Sequence, residues 1–586
     1  MKWGKVEGYF RGQFERELQG VGKRMAKETS KAENQTVRGV GIMKRRDFLR
    51  MAGLYACAFV LRRDTGIAAE TEKGSRPFDK AHDRPNIVVI LADDLGYGDA
   101  QCYNPKRGKI PTPNIDRLAV QGMRFTDAHS SSGICSPSRY ALLTGRYHWR
   151  SRLQSGIVGV WEKPLIAPDR LTIAGLVKQQ GYRTAAIGKW HLGWDWPIAE
   201  DQRSLFKHER NKGQDDEAPV ATEKQQSAWR DVFSKPIPGG PTSRGFDTYF
   251  GTDVPNWPPY CFIENDRTIG IPSTFLPGKL FKNNLASQQG PALPDWPLER
   301  ILPTLGDKAC AFIAEAAKKP EPFLLYMPLT APHTPLAVTD EWKGKSGLIP
   351  YADFVMQTDA VIGRVIEALE KSGAAGNTML VFTSDNGCAS YIGVKELESK
   401  GHFPSGPLRG YKFDVWEGGH REPFIVRWPG VVKPGSICGQ LVHQADIMAT
   451  IADILAVKLP DNAGEDSFSF VPLLKGVDKP TRQHAVSCAG GGAAGLRSGP
   501  WKLVFLPDPK AGTDVQLYNL DVDLGETKNL AAEQPERVAE MKMLMEKLIA
   551  DGRSTPGKQQ KNDVPVIICK KQKPEAAKGR AVRRKD

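Results

Sequence analysis

The chain has 586 residues, a length that suffices for one large domain with a substantial core plus a smaller one. Its composition, 40% hydrophobic and 25% charged, is ordinary for a globular protein. The net charge of +14 lies at the two ends, because residues 1–50 carry 13 Lys and Arg against 6 Asp and Glu, and residues 570–586 carry 8 against 2. The nearly neutral body between them argues against a nucleic-acid-binding protein.

The nine cysteines are widely scattered, and no two of them form a Cys-x-x-Cys pair. This spacing gives no indication of a zinc ribbon or of a thioredoxin-like redox site. A chain of this size needs no disulfide framework. The odd number of cysteines is compatible with one cysteine that is neither paired in a disulfide nor kept as an ordinary thiol.

Residues 43–69 have the pattern of a targeting segment. Arg45 and Arg46 precede an apolar run from Met51 to Leu61. Paired arginines before a short apolar stretch resemble a twin-arginine export signal. We therefore expect the twin-arginine export machinery to be a transient partner and the protein to be exported, to a periplasmic or extracellular location.

Export signals normally begin near the start codon, so residues 1–42 are predicted to be a misassigned start or a disordered extension. The apolar run is much shorter than the roughly 20 residues of a membrane-spanning helix, and no later stretch qualifies, so no stable membrane span is expected. Two alternatives for the segment are a basic amphipathic helix and a lipoprotein cleavage site at Cys57.

Four short apolar runs are each followed closely by polar residues. Continuous apolar runs with β-branched content predict strands that are buried on both faces. The runs are 86–91, 184–187, 323–327 and 378–382, and the polar residues after them are Asp93, Asp94, Lys189, His191, His333, Asp385 and Asn386.

Helical segments are predicted at 113–122, with Thr112 as its cap, at 171–181 and at 305–318. Strands that alternate with helices predict an α/β fold with a largely parallel sheet and helices on both faces. Ligands of such sheets bind at the carboxyl ends of the strands. The polar residues after the four runs should therefore lie along one edge of the sheet.

The C-terminal part has a different pattern. Residues 481–552 are predicted to form a small α+β subdomain with an antiparallel sheet and a helix at 534–550. Residues 553–586 are basic and rich in Pro, Gly and Gln, and we expect a disordered tail. Residues 201–240 are polar and predict an inserted surface loop.

The segment from Gly133 to Gly145 carries the strongest chemical signal. Pro137 suits the first turn of a helix, which places Cys135 at or before the helix N-terminus, where free N–H groups favour an anion. Arg139 lies one turn further on and would project beside that cysteine. A reactive centre, a helix N-terminus and a guanidinium fork together suit a tetrahedral oxyanion.

This segment resembles the signature of the type I sulfatases, in which the cysteine of Cys-x-Pro-x-Arg is oxidised to formylglycine. Four further segments, in order along the chain, resemble other motifs of that family. They are residues 86–98 and 384–387 for the metal site, 181–191 for the second signature and 410–419 for the active-site lysine. Within the family, parts of the chain resemble arylsulfatase A and N-acetylgalactosamine-6-sulfatase.

The resemblance implies an alkaline-phosphatase-like α/β/α sandwich over residues 82–480 and a calcium ion. An all-oxygen ligand set suits calcium and disfavours zinc. It also implies a formylglycine-generating enzyme as a transient partner. The implied metal ligands are Asp93, Asp94, Asp385, Asn386 and residue 135, as formylglycine in place of Cys135.

The same resemblance assigns catalytic roles. A hydroxyl of the hydrated formylglycine attacks sulfur, while calcium and Arg139 hold the sulfate. His333, with Lys412 nearby, protonates the leaving alcohol. His191 takes the proton of the second hydroxyl so that sulfate is expelled, and Lys189 binds sulfate oxygens.

Two other functions remain open. A formylglycine-dependent phosphate or phosphonate monoester hydrolase would bind a tetrahedral substrate of the same geometry. An inactive binding protein for sulfated polysaccharide would belong to another class, although every motif residue is present. The expected substrate is a sulfated small molecule or, more specifically, a sulfated carbohydrate.

Several other residues have weaker signals. His129, His148, His402 and His443 match no family role and are interpreted as structural, whereas His420 is a candidate for a position near the substrate. Residues 194–196, Trp-Asp-Trp, could form a sugar-stacking rim or simply pack in the core.

Overall fold

The computed structural model describes residues 84–206, 217–281 and 287–568. The predicted export signal lies outside these residues. Within them the strands are β1 (Asn86–Asp93), β2 (Met123–Phe125), β3 (Ala128–His129), β4 (Arg183–Lys189), β5 (Thr248–Thr252), β6 (Ile263–Glu264), β7 (Arg267–Thr268), β8 (Phe323–Pro332), β9 (Thr378–Ser384), β10 (Phe424–Arg427), β11 (Ser436–Cys438), β12 (Val442–His443), β13 (His484–Cys488), β14 (Ala494–Ser498), β15 (Trp501–Val504) and β16 (Gln516–Asn519).

The α-helices of the described residues lie between residues 113 and 551. They are α1 (Pro113–Gln121), α2 (Cys135–Thr144), α3 (Ile173–Lys178), α4 (Glu223–Phe233), α5 (Ile301–Ala316), α6 (Pro350–Lys371), α7 (Val394–Ser399), α8 (Glu417–His420), α9 (Asp446–Ile454), α10 (Val471–Leu474) and α11 (Pro535–Asp551). Thr112 precedes α1 as predicted, but its side chain makes no capping bond. Its hydroxyl instead accepts a bond from the backbone N–H of Gln101.

A ten-stranded sheet forms the centre of the fold, in the order β11-β2-β10-β9-β1-β8-β4-β5-β6-β7. The four apolar runs form the adjacent strands β9, β1, β8 and β4, and each neighbouring pair is parallel. The antiparallel strands lie outside this group. The predicted α/β fold with a largely parallel sheet is therefore confirmed.

Both faces of the sheet are covered, which explains the continuous apolar runs. Along β1, Val88 and Ile90 point into a core shared with α1, α5 and α6. Ile87 and Val89 point into a second core shared with α2, α3 and α9. Because side chains alternate between the faces of a strand, a strand covered on both sides must be apolar at every position.

The second sheet is antiparallel, in the order β13-β14-β15-β16, and α11 packs on it. This agrees with the predicted C-terminal α+β unit. The core of this unit also includes Tyr147 and Trp149, which follow α2 in the sequence. The unit is therefore packed directly on the chain that carries the Cys135 helix.

Residues 553–568 differ from the predicted disordered tail. The buried guanidinium of Arg146 donates to Asp563 at 3.0 Å, and that of Arg150 donates to Asn562 at 3.1 Å. The backbone N–H of Asp563 in turn donates to the carbonyl of Arg150. A buried arginine must find acceptors for its N–H groups, and this polar segment supplies them.

The region predicted to be a surface loop at 201–240 contains helix α4, which begins with a capping box formed by Thr222 and Gln225. Trp229 and Phe233 of this helix pack with Phe206 in a small separate core. Residues 207–216 lie outside the described part. In the part that is described, no helix is long and apolar enough to cross a membrane.

Candidate active site

The polar residues predicted to share one sheet edge do meet there. Asp93 is the last residue of β1 and Lys189 the last residue of β4, and Nζ of Lys189 lies 2.7 Å from Oδ2 of Asp93. Asp385 follows β9 directly, and its backbone N–H donates to the carbonyl of Ala92 at 3.0 Å. The parallel alignment of the strands therefore brings residues almost 300 positions apart into contact.

Asp94 is the second carboxylate of this edge. Its Oδ2 accepts a bond from Nζ of Lys412 at 2.8 Å and lies 3.6 Å from Nε2 of His333. Its Oδ1 accepts a bond from the side-chain amide of Asn386 at 2.8 Å. The backbone φ of Asp94 is +64°, an uncommon value for a residue with a side chain, which redirects the chain after β1.

Cys135 is the first residue of α2, as predicted, and the structure shows that it is buried. Its Sγ lies 3.7 Å from Oδ1 of Asp93. Burial raises the pKa of the thiol to about 12, even though Lys189 and Lys412 act in the opposite direction. The encoded cysteine is therefore a protonated thiol at neutral pH and a poor nucleophile.

Arg139 is fully buried, and its hydrogen bonds go to a carboxylate and to a backbone carbonyl. Its Nε and Nη2 donate to Oδ2 of Asp385 at 2.9 and 2.7 Å, and its Nη1 donates to the carbonyl of Lys189 at 3.0 Å. Nη2 also lies 3.5 Å from Oδ1 of Asp93. The contacts to Asp385 and Asp93 hold these carboxylates in place, and the contact to Lys189 holds the end of β4, so Arg139 positions the groups around it.

The residues at this edge fit a hard divalent cation. Ligand atoms of Asp93, Asp94, Cys135 and His333 all lie within 4.8 Å of one another. The amide oxygen of Asn386 is buried and has no hydrogen-bond partner among the described residues. A buried acceptor without a donor is costly, and carboxylate and amide oxygens are the ligands that calcium prefers.

The electrostatics of the cluster depend on burial and on mutual pairing. Burial opposes ionisation of Asp93, but the charges of Lys189, His333 and Arg139 outweigh it and hold the pKa of Asp93 below its usual range. Burial, assisted by the charge of Lys412, lowers the pKa of His333 to about 4. The site therefore combines an ionised Asp93 with a neutral imidazole, whereas burial and the charge of Asp93 raise the pKa of Asp385 to about 7.

His191 lies at the end of the β4 segment, with φ of +54°. Its backbone N–H donates to Oδ1 of Asp253 at 3.1 Å, and its ring nitrogen Nε2 lies 3.2 Å from the carbonyl of Val158. The other ring nitrogen, Nδ1, has no partner in the described part of the chain. Burial, with the charges of Lys189 and Arg139, lowers the pKa of His191 well below its usual value.

Two residues of the site escaped the sequence analysis. Asp253 directly follows β5, so the strand-end rule applied to one more strand would have found it. It also accepts a bond from the indole N–H of Trp194 at 3.1 Å. Tyr351 donates to the carbonyl of Asp94 at 3.0 Å from the first turn of α6, where nothing in the local sequence signals such a contact.

The four histidines interpreted as structural are buried and have partners within the chain. His129 contacts Asp127, His148 contacts Ser131, His402 contacts Asp99 and His443 accepts from the backbone of residue 445.

His420 contacts His129 and the carbonyl of Val415 in the interior, away from solvent. Together with Glu417 these two histidines form a second cluster of potential metal ligands. Nζ of Lys502 lies 2.9 Å from Glu417 and 3.2 Å from His420, so an ammonium group already supplies the positive charge there.

Trp194 could form a sugar-stacking rim or pack in the core. It is buried and packs against Tyr249, so the structure shows core packing for this residue.

Comparison with known proteins agrees with this arrangement. The family model described as Sulfatase matches residues 85–457. The N-acetylgalactosamine-6-O-sulfatase of Bacteroides thetaiotaomicron is 33% identical over 481 residues, which cover 79% of this chain and 93% of that protein. Human arylsulfatase A is 30% identical over 491 residues, which cover 78% of this chain and 87% of that protein.

Solved structures are similar over the same part of the chain. A sulfatase structure described under the metabolism of multiple glycosaminoglycans by Bacteroides thetaiotaomicron has a TM-score of 0.67 and 32% identity, and covers 80% of this chain and 99% of its own. The structure of Ps i-CgsB in complex with a neocarrahexaose has a TM-score of 0.58 and 26% identity, and covers 81% and 95%. From the family match, these relatives and the shared fold, the chain belongs to the type I sulfatase family and is a sulfatase enzyme.

Proposed function

We propose that this sulfatase hydrolyses sulfate esters with a formylglycine made from Cys135 and with a bound calcium ion. The observation that carries the proposal is the position of Cys135. It is the first residue of a helix, 3.7 Å from Asp93, in a cluster with Asp94 and His333. An unmodified thiol with a pKa of about 12 is a weak nucleophile, so modification explains why a cysteine is at the centre of the site.

The ligands of the calcium ion would be Asp93, Asp94, Asp385, the unpaired amide oxygen of Asn386 and the modified residue 135. The ion would supply positive charge that acidifies a coordinated hydroxyl and neutralises sulfate oxygens. The hydrated aldehyde would supply two hydroxyl groups on one carbon, one to attack and one to release the product.

Lys189 and Lys412 bring two ammonium groups to the site, each within 2.8 Å of a carboxylate oxygen. In the proposed mechanism they orient the anionic substrate and offset its charge. Arg139 contacts the carboxylates, so its role here is to hold Asp385 and Asp93 in position.

His333 is suited to protonate the leaving alcohol. Its Nδ1 contacts the carbonyl of Thr334, which can only accept a hydrogen bond, so Nδ1 carries the hydrogen and Nε2 faces Asp94 and the site. The pKa of about 4 leaves Nε2 unprotonated before substrate binds. The negative charge of a bound sulfate ester raises this pKa and favours the protonated form that donates.

His191 is suited to the opposite role. Its Nε2 contacts the carbonyl of Val158, so Nε2 carries the hydrogen and the unpaired Nδ1 is a free acceptor. Lowering of its pKa keeps that nitrogen unprotonated. In the proposed mechanism Nδ1 takes the proton of the second hydroxyl of residue 135 as sulfate leaves.

We propose a sulfated saccharide as the substrate and an extracytoplasmic location. Two relatives support the first, since one is an N-acetylgalactosamine-6-O-sulfatase and the other was solved in complex with a neocarrahexaose. The pattern of Arg45 and Arg46 before an apolar run supports the second.

The direct test is release of inorganic sulfate from a panel of sulfated mono- and oligosaccharides and a chromogenic aryl sulfate. The protein is produced with and without a formylglycine-generating enzyme, and only the first preparation should turn over. Cleavage of phosphate or phosphonate monoesters in preference to every sulfate ester would contradict the proposed function, as would binding of the panel without turnover by the modified protein.

A further inference from the structure

Phe413 is the residue next to the active-site lysine, Lys412. Nζ of Lys412 lies 5.6 Å from the centre of the Phe413 ring and 2.8 Å from Oδ2 of Asp94. The ring is therefore at the border of the ligand cluster. Half of this side chain is exposed to solvent, with a relative exposure of 50%.

The backbone of Phe413 is strained. Its φ is +80°, a value that bulky side chains rarely adopt. Eight described residues other than glycine have positive φ, and three of them, Asp94, His191 and Phe413, belong to this site or border it. Such strain persists only where surrounding structure enforces it, and it is concentrated at functional sites.

Two backbone bonds enforce the conformation. The N–H of Phe413 donates to the carbonyl of Gly133 at 2.7 Å, and its carbonyl accepts from the N–H of Gly490 at 2.9 Å. Gly133 belongs to the segment that leads into Cys135, and Gly490 follows β13 of the C-terminal sheet. A Cβ built at Gly490 would lie 2.9 Å from the Phe413 ring and 3.2 Å from Ile134, so the glycine makes room for the ring.

A second exposed ring belongs to a segment that is bonded to the same lysine. Tyr391 is 38% exposed and follows Cys388 by three residues, and the carbonyl of Cys388 accepts a bond from the backbone N–H of Lys412 at 2.9 Å. Among the described residues, Tyr391 and Phe413 are the exposed aromatic side chains. Exposed aromatic rings beside a polar cluster are typical of surfaces that contact a ligand.

We infer that Phe413, with Tyr391, forms an aromatic platform that packs against the apolar face of the sugar ring whose sulfate enters the ligand cluster. This inference rests on the proposed function and names the residue that recognises the saccharide. The physical reason is that the fold holds an apolar ring in a strained conformation and leaves it half in water. Neither feature stabilises the free protein, and a bound sugar ring would cover the exposed face.

The variants Phe413→Gly, Phe413→Ala and Phe413→Tyr separate recognition from folding. Glycine adopts φ of +80° without strain, so Phe413→Gly should unfold at a higher temperature than the wild type. Its kcat/KM for the preferred saccharide of the panel should nevertheless fall by about tenfold, the effect of losing roughly half of the burial energy of a phenyl ring. Phe413→Ala should lose the same kcat/KM, and Phe413→Tyr should retain most of it.

Inorganic sulfate, the product, serves as a probe of the ligand cluster alone. Its inhibition constant should be the same in the Phe413 variants and the wild type, because sulfate has no sugar ring. Val522→Ala, which shortens an exposed apolar side chain on the C-terminal part, is the matched control. It should change neither kcat/KM for the saccharide nor the inhibition constant of sulfate.

The outcomes distinguish this inference from the proposed function. Lower thermal stability of Phe413→Gly with unchanged kcat/KM would show that the ring is structural and would overturn the platform. Weaker inhibition by sulfate in proportion to the loss of kcat/KM would also overturn it, because the change would then lie in the anion site. Wild-type protein that cleaves the aryl sulfate but no saccharide would contradict the platform alone, whereas no cleavage of any sulfate ester would contradict the proposed function itself.

Discussion

Lys189 and Asp93 end two strands that are separated by β8, and they form a fully buried ion pair with 2.7 Å between Nζ and Oδ2. Replacing Lys189 by methionine leaves the carboxylate of Asp93 buried without this partner. We expect the free energy of unfolding to fall by about 3 kcal/mol in calcium-free buffer. Sulfate release should also be almost lost, because an ammonium group that orients the substrate is removed.

The exposed pair of Lys178 and Asp247 provides a matched control, since its Nζ–Oδ1 distance is also 2.7 Å but both side chains are about half exposed. Lys178→Met should change the free energy of unfolding by less than about 1 kcal/mol and leave sulfate release intact. Equal losses in the two variants, measured by urea denaturation, would contradict the assignment of Lys189.

Asp385→Asn should remove most activity and most bound calcium, because a full negative charge is taken from the ligands of a hard cation. Calcium at about 100 times its dissociation constant should stabilise the wild type by about 2.7 kcal/mol but stabilise this variant much less. Metal analysis of the purified wild type should find about one calcium per chain. Asp340→Asn, at an exposed surface pair, is the control. Stoichiometric zinc without calcium would overturn the calcium assignment.

Cys135 should carry an aldehyde in active enzyme. Conversion of the thiol to formylglycine lowers the mass of the tryptic peptide by about 18 Da, as expected when CH₂SH is replaced by CHO. Cys135→Ala should fold normally and have no turnover, whereas Cys310→Ala, a half-buried cysteine of α5, should be fully active. A highly active preparation in which the peptide contains only cysteine would refute the formylglycine mechanism.

His148 should make stability depend on pH. Burial lowers its pKa from 6.5 to about 3, so the folded protein keeps it neutral while the unfolded chain is protonated below pH 6.5. Its contribution to stability is therefore complete above pH 6.5 and is lost towards pH 3, with a slope of about 1.4 kcal/mol per pH unit.

The variant His148→Gln has no titrating group here, so the difference in unfolding free energy between wild type and variant should change with that slope between pH 6.5 and 4.5. Denaturant titrations at several pH values measure it. A difference that is constant over this interval would show that His148 has the same proton affinity in the folded and unfolded states.

Export should require Arg45 and Arg46. Changing both to lysine keeps their charge but removes the paired guanidinium groups of the twin-arginine pattern, so the protein should remain in the cytoplasm. The same change at Arg62 and Arg63, which follow the apolar run, should not impair export. Cell fractionation measures both, and undiminished export of the first variant would exclude the twin-arginine route.

Much of the site could be predicted because its signals are local. The run 86–91 is apolar at every position after Asn86, and Asp93 and Asp94 follow it, so both the buried strand and its polar end are visible in nine residues. The same holds for β4 with Lys189 and for β9 with Asp385. Parallel strands place their carboxyl ends at one edge, so these local signals were sufficient to predict one shared site.

Other contacts depend on elements that are far apart in the sequence. Tyr351 bonds to the backbone of Asp94 from α6, and the polar tail at Asp563 bonds to Arg146 across more than 400 residues. A composition rich in polar residues predicts disorder because it lacks apolar surface to bury. The composition of the tail contains no information on whether a buried arginine elsewhere in the chain needs the oxygen atoms of the tail as hydrogen-bond acceptors.

The sequence by itself therefore determined the strands, their common edge, the carboxylates and amide of the proposed metal site, and the cysteine at a helix start. Only the tertiary structure decided that Arg139 bonds to Asp385, that Trp194 packs in the core, and that Phe413 is held exposed at φ of +80°. The first set follows from the period of apolar residues and from strand-end chemistry, which act over a few residues. The second depends on which distant groups satisfy a buried charge or clamp a backbone, and that is set by packing.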